Sequence, residues 1–109
     1  MHDKYILRYL PLFYDDLESI LKYITEELHN RDAAVNLLNS VETAIKNRLP
    51  IAESFEQFHS HKERRYPYYR IYVENYIIFY VVIKENGFKC MEVRRIIYRG
   101  RDLFNSELI

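Results

Sequence analysis

The fold is decided by residues 69–98, which read YRIYVENYIIFYVVIKENGFKCMEVRRIIY. Two short polar breaks, Glu74-Asn75 and Asn86-Gly87, divide this stretch into three runs rich in β-branched and aromatic residues, and such runs favour β-strands. The Asn-Gly pair is typical of a type I′ hairpin turn. We therefore expect an antiparallel meander whose three strands cover residues 68–73, 76–83 and 89–98.

The first turn fixes the pairing of the first two strands because it contains two residues. The expected pairs are Val73 with Tyr76, Ile71 with Ile78, and Tyr69 with Tyr80. All of these residues share one apolar face, which we expect to pack against helices. The other face of the middle strand is also apolar, and we expect it to stay open as a ridge formed by Ile77, Phe79 and Val81.

The second turn sets the pairing of the last two strands. It should place Val81 opposite Glu92 and Phe79 opposite Arg94. The apolar alternation of the last strand breaks at Arg94-Arg95-Ile96-Ile97, and such a break predicts a β-bulge.

Two amphipathic helices are predicted before the meander. Apolar residues recur at helical spacing from Phe13 to Leu28 and again from Ala34 to Leu49, and a proline ends the second run. Asn30 is suited to cap the second helix, and a short β-favouring run covers Tyr5 to Leu10. The order β-α-α-β-β-β predicts one two-layer α+β domain over residues 1–109, with a helical hairpin packed on an antiparallel sheet.

The composition fits a globular protein of the cytoplasm. Hydrophobic residues make up 49% and charged residues 29%, and with only 2 Gly and 3 Pro the chain is neither disordered nor collagen-like. A single cysteine excludes a disulfide scaffold within the chain. No apolar run approaches the roughly 18 residues of a membrane span, and the first residues, MHDKYILRYL, lack the apolar core of a signal peptide. We expect no membrane contact.

The sequence contains no motif that predicts a metal or a cofactor. His59 and His61 form a His-x-His pair, but no cysteine or carboxylate accompanies them at a familiar ligand spacing. Two glycines cannot build a phosphate-binding loop. Cys90 has no catalytic signature around it, so we interpret it as a half-buried strand residue.

The formal net charge of zero hides a division of charge along the chain. Residues 1–56 contain 6 Lys and Arg against 10 Asp and Glu, whereas residues 57–109 contain 10 against 6. A basic half suggests a negatively charged partner, either nucleic acid or an acidic protein, although the charges can also simply solvate two unrelated faces. The candidate contacts are Lys62, Arg64, Arg65, Arg70, Arg94, Arg95, Arg99 and Arg101.

Three segments resemble the RelE/ParE superfamily of toxins from type II toxin–antitoxin modules. The segment YILRYLPLFYDDLESILKYI at 5–24 resembles the opening strand, proline and first helix of that family. The segment YRIYVENYIIFYVV at 69–82 resembles its central hairpin, and VRRIIYRGRDL at 93–103 resembles its closing strand and Arg-Asp-Leu ending. The order and spacing of the three segments carry the resemblance, which covers nearly the whole chain.

The resemblance implies a bacterial toxin, of the kind associated with plasmid stabilization, that a cognate antitoxin neutralises by wrapping around it. ParE-like members poison DNA gyrase, whereas RelE-like members cleave mRNA on the ribosome. The RelE branch usually has an arginine at the position of Ile77, and an isoleucine cannot act as a base, an acid or a cation. These features favour a ParE-like inhibitor that binds a protein target such as gyrase.

Two alternatives remain open. A RelE-like ribosome-dependent mRNA endoribonuclease would use Arg70, Tyr98 and Arg101 as its minimal set of catalytic residues. The other alternative is a toxin that has lost its activity and only binds its antitoxin. The expected docking residues for an antitoxin or a protein target are Tyr72, Ile77, Phe79 and Val81.

Overall fold

The computed structural model describes residues 4–58 and 65–100. A π-helical turn at Tyr23–Glu27 continues the first α-helix. The elements in chain order are β1 (Tyr5–Tyr9), α1 (Pro11–Lys22), the π turn, α2 (Arg31–Arg48), a 3₁₀ turn (Leu49–Ile51), β2 (Gln57–Phe58), β3 (Tyr68–Val73), β4 (Tyr76–Glu85) and β5 (Phe88–Tyr98). The α+β class predicted from the sequence is confirmed.

The five strands form one sheet in the order β1-β5-β4-β3-β2. β1 pairs with β5 in parallel, from Tyr5 opposite Lys89 to Tyr9 opposite Val93, and all other pairs are antiparallel. The expectation of a purely antiparallel sheet was wrong at this edge. The chain between β1 and β5 is long and contains both helices, and a long crossover permits parallel pairing, which a tight hairpin does not.

The central hairpin has the register that its two-residue turn predicted. Val73 lies opposite Tyr76, Ile71 opposite Ile78, and Tyr69 opposite Tyr80. In the second turn, Asn86 and Gly87 both adopt positive φ, at 51° and 79°, as a type I′ turn requires.

The β4–β5 ladder contains the predicted bulge. Val81 lies opposite Glu92, as expected, but the register shifts between Phe79 and Tyr80. Phe79 therefore pairs with Arg95 and not with Arg94, so that expected pair was wrong by one residue. Arg94 is the extra residue of β5 and has no partner on β4.

The helices bury the predicted apolar stripes, with one local exception. Asn30 caps α2, since its Oδ1 accepts a hydrogen bond of 3.1 Å from the Ala33 backbone N–H. The stripe of α1 does not extend to Leu28, which is exposed. The Leu28 N–H bonds to the Tyr23 carbonyl, five residues back, and this wider turn rotates the last residues away from the buried face.

The sheet is buried on both faces. The helices cover one face, where Ile78, Tyr80 and Val93 belong to the larger of two apolar clusters. The other face carries the second cluster: Phe58, Tyr68, Ile77, Phe79, Val81, Ile83, Cys90 and Ile97.

The expectation of an open apolar ridge was wrong. Ile77, Phe79 and Val81 are only 5%, 0% and 0% exposed. Aromatic side chains from β2 and β3 contribute to this burial, because the rings of Phe58 and Tyr68 pack edge-on against Phe79 at centroid distances of 5.5 and 5.6 Å.

Candidate functional site

The predicted basic residues do not form one continuous patch in the part of the chain that the structure describes. Arg65 is exposed, and its guanidinium lies 3.9 Å from the carboxylate of Glu85 and over the ring of Tyr66 at 5.2 Å. Three of the eight predicted contacts lie outside the described residues: Lys62, Arg64 and Arg101.

Arg94 is held by a buried carboxylate. Glu92 on β5 is 4% exposed, and each of its two oxygens accepts a hydrogen bond from an arginine. Arg94 Nε donates to Oε1 at 2.9 Å, and Arg8 Nε on β1 donates to Oε2 at 2.8 Å. The hydrogen bond to Glu92 raises the pKa of Arg8. Arg94 therefore helps to neutralise the buried carboxylate of Glu92. Its charge is engaged within the fold, whereas the sequence suggested that it contacts a partner.

Arg95 is engaged in a second ion pair, with Asp16 on α1. Its Nε and Nη2 donate to the two carboxylate oxygens at 2.7 and 2.8 Å, and the Ile96 backbone N–H adds a third bond at 3.1 Å. Both side chains are only 13% exposed. Pairing of β1 with β5 ends at Val93. Beyond that point Asp16 of α1 accepts the hydrogen bond from the Ile96 backbone N–H at the edge of β5. Arg95 joins a helix to the sheet.

Arg70 and Arg99 lie in a different environment from the carboxylate-paired Arg94 and Arg95. Arg70 on β3 and Arg99, just after β5, both place their guanidinium carbons over the ring of Tyr72, at 5.7 and 5.0 Å from its centroid. The Arg70 guanidinium also lies 4.9 Å from the centroid of Phe58. We call Arg70, Tyr72 and Arg99 the arginine–tyrosine cluster, and its cations face aromatic rings in place of carboxylates.

The structure does not bring Arg70 and Tyr98 together. Residues directly opposite in a ladder share a face, and successive residues alternate. Arg70 lies opposite Phe79 on the face away from the helices, whereas Tyr98 lies opposite Tyr76 on the helix side. There Tyr98 packs edge-on against Tyr76, with ring centroids 6.0 Å apart, and lines a surface groove of about 750 Å³.

A family model for the ParE toxin of the type II toxin–antitoxin system parDE matches residues 7–103. The chain belongs to the ParE toxin family. No curated protein sequence matches it. The resemblance seen in the sequence is confirmed, and this ParE-family toxin has a cognate antitoxin as its partner.

The docking residues predicted for this ParE-family toxin differ in accessibility. Tyr72 is 52% exposed, although Ile77, which lies opposite it on β4, is buried. The three ridge residues lie inside the second cluster, so only Tyr72 of the four presents a side chain at the surface.

Arg48 is a residue of the toxin that sequence reasoning missed. It stands at the end of α2, where its Nη1 donates to the Arg70 carbonyl at 2.9 Å and to the Tyr80 hydroxyl at 3.0 Å. Its guanidinium lies 3.5 Å from the Phe55 ring centroid, and Tyr80 in turn donates to the Ala52 carbonyl at 2.6 Å. These contacts fix the backbone beneath the arginine–tyrosine cluster. The sequence offered only the weak signal of a cation in the last turn of a helix.

Glu53 is a second residue that the sequence did not reveal. Its carboxylate receives Lys84 Nζ at 2.5 Å, Lys89 Nζ at 2.9 Å and the Tyr5 hydroxyl at 2.8 Å. Burial opposes its ionisation, but these three donors outweigh burial and hold the pKa of Glu53 at about 2. The contacts tie the segment after α2 to three strands.

Within residues 4–58 and 65–100, no group of three or more His, Cys, Asp or Glu is arranged to hold a metal ion. No helix there is long and apolar enough to cross a membrane. His59 and His61, the His-x-His pair of the sequence, fall outside these ranges.

Proposed function

We propose that this chain acts in the cytoplasm as a ParE-like toxin that inhibits a protein target, DNA gyrase, and that residues 1–109 work as one toxin domain. The observation that carries this proposal is the environment of Ile77. At the position where the nuclease branch usually has an arginine, this chain has an isoleucine that is 5% exposed and belongs to the same apolar cluster as Phe79 and Ile97. A charged group could not occupy that place without a large desolvation cost.

The positions of the candidate nuclease residues also support a protein target. RNA cleavage by the ribose 2′-hydroxyl needs a base, an acid and a cation for the phosphorane charge within reach of one phosphate. Arg70 and Tyr98 lie on opposite faces of the sheet, so they cannot act on the same phosphate without rearrangement. Two of the other cations of this region, Arg94 and Arg95, are already paired with carboxylates.

The test compares two activities of the purified chain. We expect inhibition of gyrase supercoiling and intact mRNA in a ribosomal translation reaction. The Arg70→Gln variant is informative in the second assay, because a nuclease that uses Arg70 would lose its cleavage products. The Ile78→Asp variant, which should not fold, serves as the inactive control in both assays.

Other results would contradict the proposal in different ways. Codon-positioned mRNA cuts with normal supercoiling would establish the RelE-like alternative. No effect in either assay, together with normal growth of cells that express the chain, would indicate a toxin that has lost activity and only binds its antitoxin.

A further inference from the structure

The arginines of the sheet fall into two groups. Arg8, Arg94 and Arg95 each donate to a carboxylate of this chain. Arg70 and Arg99 instead lie over aromatic rings, and neither has a carboxylate partner among the residues that the structure describes. Two cations so close to one tyrosine therefore leave a local positive charge that the described part of the fold does not neutralise.

The cluster is held in place by the strands around it. Tyr72 lies on β3 opposite Ile77, and the carbonyl of Arg70 accepts the hydrogen bond from Arg48. The Arg99 backbone N–H donates to the Asn75 carbonyl at 2.8 Å, which fixes the end of β5 to the turn between β3 and β4. The guanidinium carbons of Arg70 and Arg99 lie 5.7 and 5.0 Å from the Tyr72 centroid, so the two cations are close enough for one short segment to contact both.

We propose that the arginine–tyrosine cluster binds an acidic, extended segment of a protein partner. A guanidinium that lies over an aromatic ring and has no carboxylate partner keeps N–H donors that match the two oxygens of a carboxylate. Alternate residues of an extended chain lie about 7 Å apart, so two acidic residues separated by one position can reach both arginines. Tyrosine and arginine are also among the residue types enriched in the binding hot spots of protein interfaces.

The cluster fits a peptide better than a nucleic acid. Binding to a phosphate backbone draws on a series of cations, and among the described candidates Arg94 and Arg95 are neutralised within the fold. The ring of Tyr72 is engaged by the two guanidinium groups, so its faces are less available to stack a base. This inference does not depend on which target the toxin inhibits, so its failure would leave the gyrase proposal standing.

The test measures binding of a fluorescent peptide of alternating glutamate and leucine to the purified chain, with the glutamine counterpart of that peptide as control. Arg70→Gln and Arg99→Gln should each weaken binding about fivefold, the upper range for an exposed ion pair. Added salt should weaken binding of the parent chain and have less effect on either variant. Arg31→Gln, at the exposed start of α2, is the matched control for the two arginine variants.

Three results would overturn the proposal. The first is equal binding of the glutamate and glutamine peptides. The second is an equal loss of peptide binding for Arg31→Gln and Arg99→Gln, because Arg31 lies outside the cluster. Both arginines are exposed, so neither substitution should disturb the fold. The third is tight binding of a single-stranded oligoribonucleotide that Arg70→Gln and Arg99→Gln abolish, with no binding of the acidic peptide, which would assign the cluster to RNA.

Discussion

Removal of the Asp16 carboxylate should destabilise the toxin far more than removal of the neighbouring carboxylate of Asp15. Asp16 and Arg95 are each 13% exposed, and the carboxylate accepts three hydrogen bonds, two from Arg95 and one from the Ile96 backbone. Loss of one partner of a buried pair leaves an uncompensated charge, and we expect Asp16→Ala to cost about 3 kcal/mol of unfolding free energy. In a domain of this size that change lowers the melting temperature by more than about 10 °C.

Urea unfolding of matched variants tests this reasoning. Asp15 is the neighbouring carboxylate and is exposed, so Asp15→Ala should change the unfolding free energy by no more than about 0.5 kcal/mol. The double variant Asp16→Ala with Arg95→Met removes the stranded charge and should recover part of the loss. The ion pair would have no structural role if Asp15→Ala and Asp16→Ala unfolded at the same urea concentration.

Two further predictions concern the core and the response to acid. Ile77→Asp and Ile78→Asp should each lower the free energy of unfolding by several kcal/mol, because the two side chains are buried on opposite faces of the sheet. Tyr72→Asp should be tolerated, since Tyr72 is exposed. Thermal melts in which Ile77→Asp behaves like Tyr72→Asp would contradict the burial of the second face. The pKa of Glu53, about 2 against an ordinary 4.5, makes its contribution complete above pH 4.5 and lost as the pH falls towards 2. Glu53→Gln should therefore remove about 1–2 kcal/mol at neutral pH and flatten the acid limb of stability against pH, and an unchanged acid limb would argue against this ion cluster.

The parts of the fold that could be predicted are those set by local sequence. A two-residue turn fixes a register, so the pairs around Glu74-Asn75 followed from the spacing alone. The bulge was visible as broken alternation, although only the structure shows that Arg94 is the extra residue. The parallel pairing of β1 with β5 joins residues more than eighty positions apart, as in Arg8 and Glu92, and no local pattern specifies it.

The burial of the second sheet face could not be predicted from the sequence either, because it also depends on contacts between distant segments. Alternation shows which residues share a face, and it placed Ile77 and Phe79 together correctly. Whether that face meets solvent depends on what packs over it, and Phe58 comes from a two-residue strand inside a stretch with no clear period. A strand that short leaves no signature in a sequence.

Part of the division of charge along the sequence is used inside the fold. Asp16 and Glu53 belong to the acidic half, and they pair with Arg95 and with Lys84 and Lys89 of the basic half. These ion pairs between distant segments hold α1 and the segment after α2 against the sheet, so an excess of one sign in either half need not indicate an external partner. The charges that do indicate one are those left without an internal carboxylate. In the described part of the basic half these charges include Arg70 and Arg99, whose guanidinium groups lie over Tyr72.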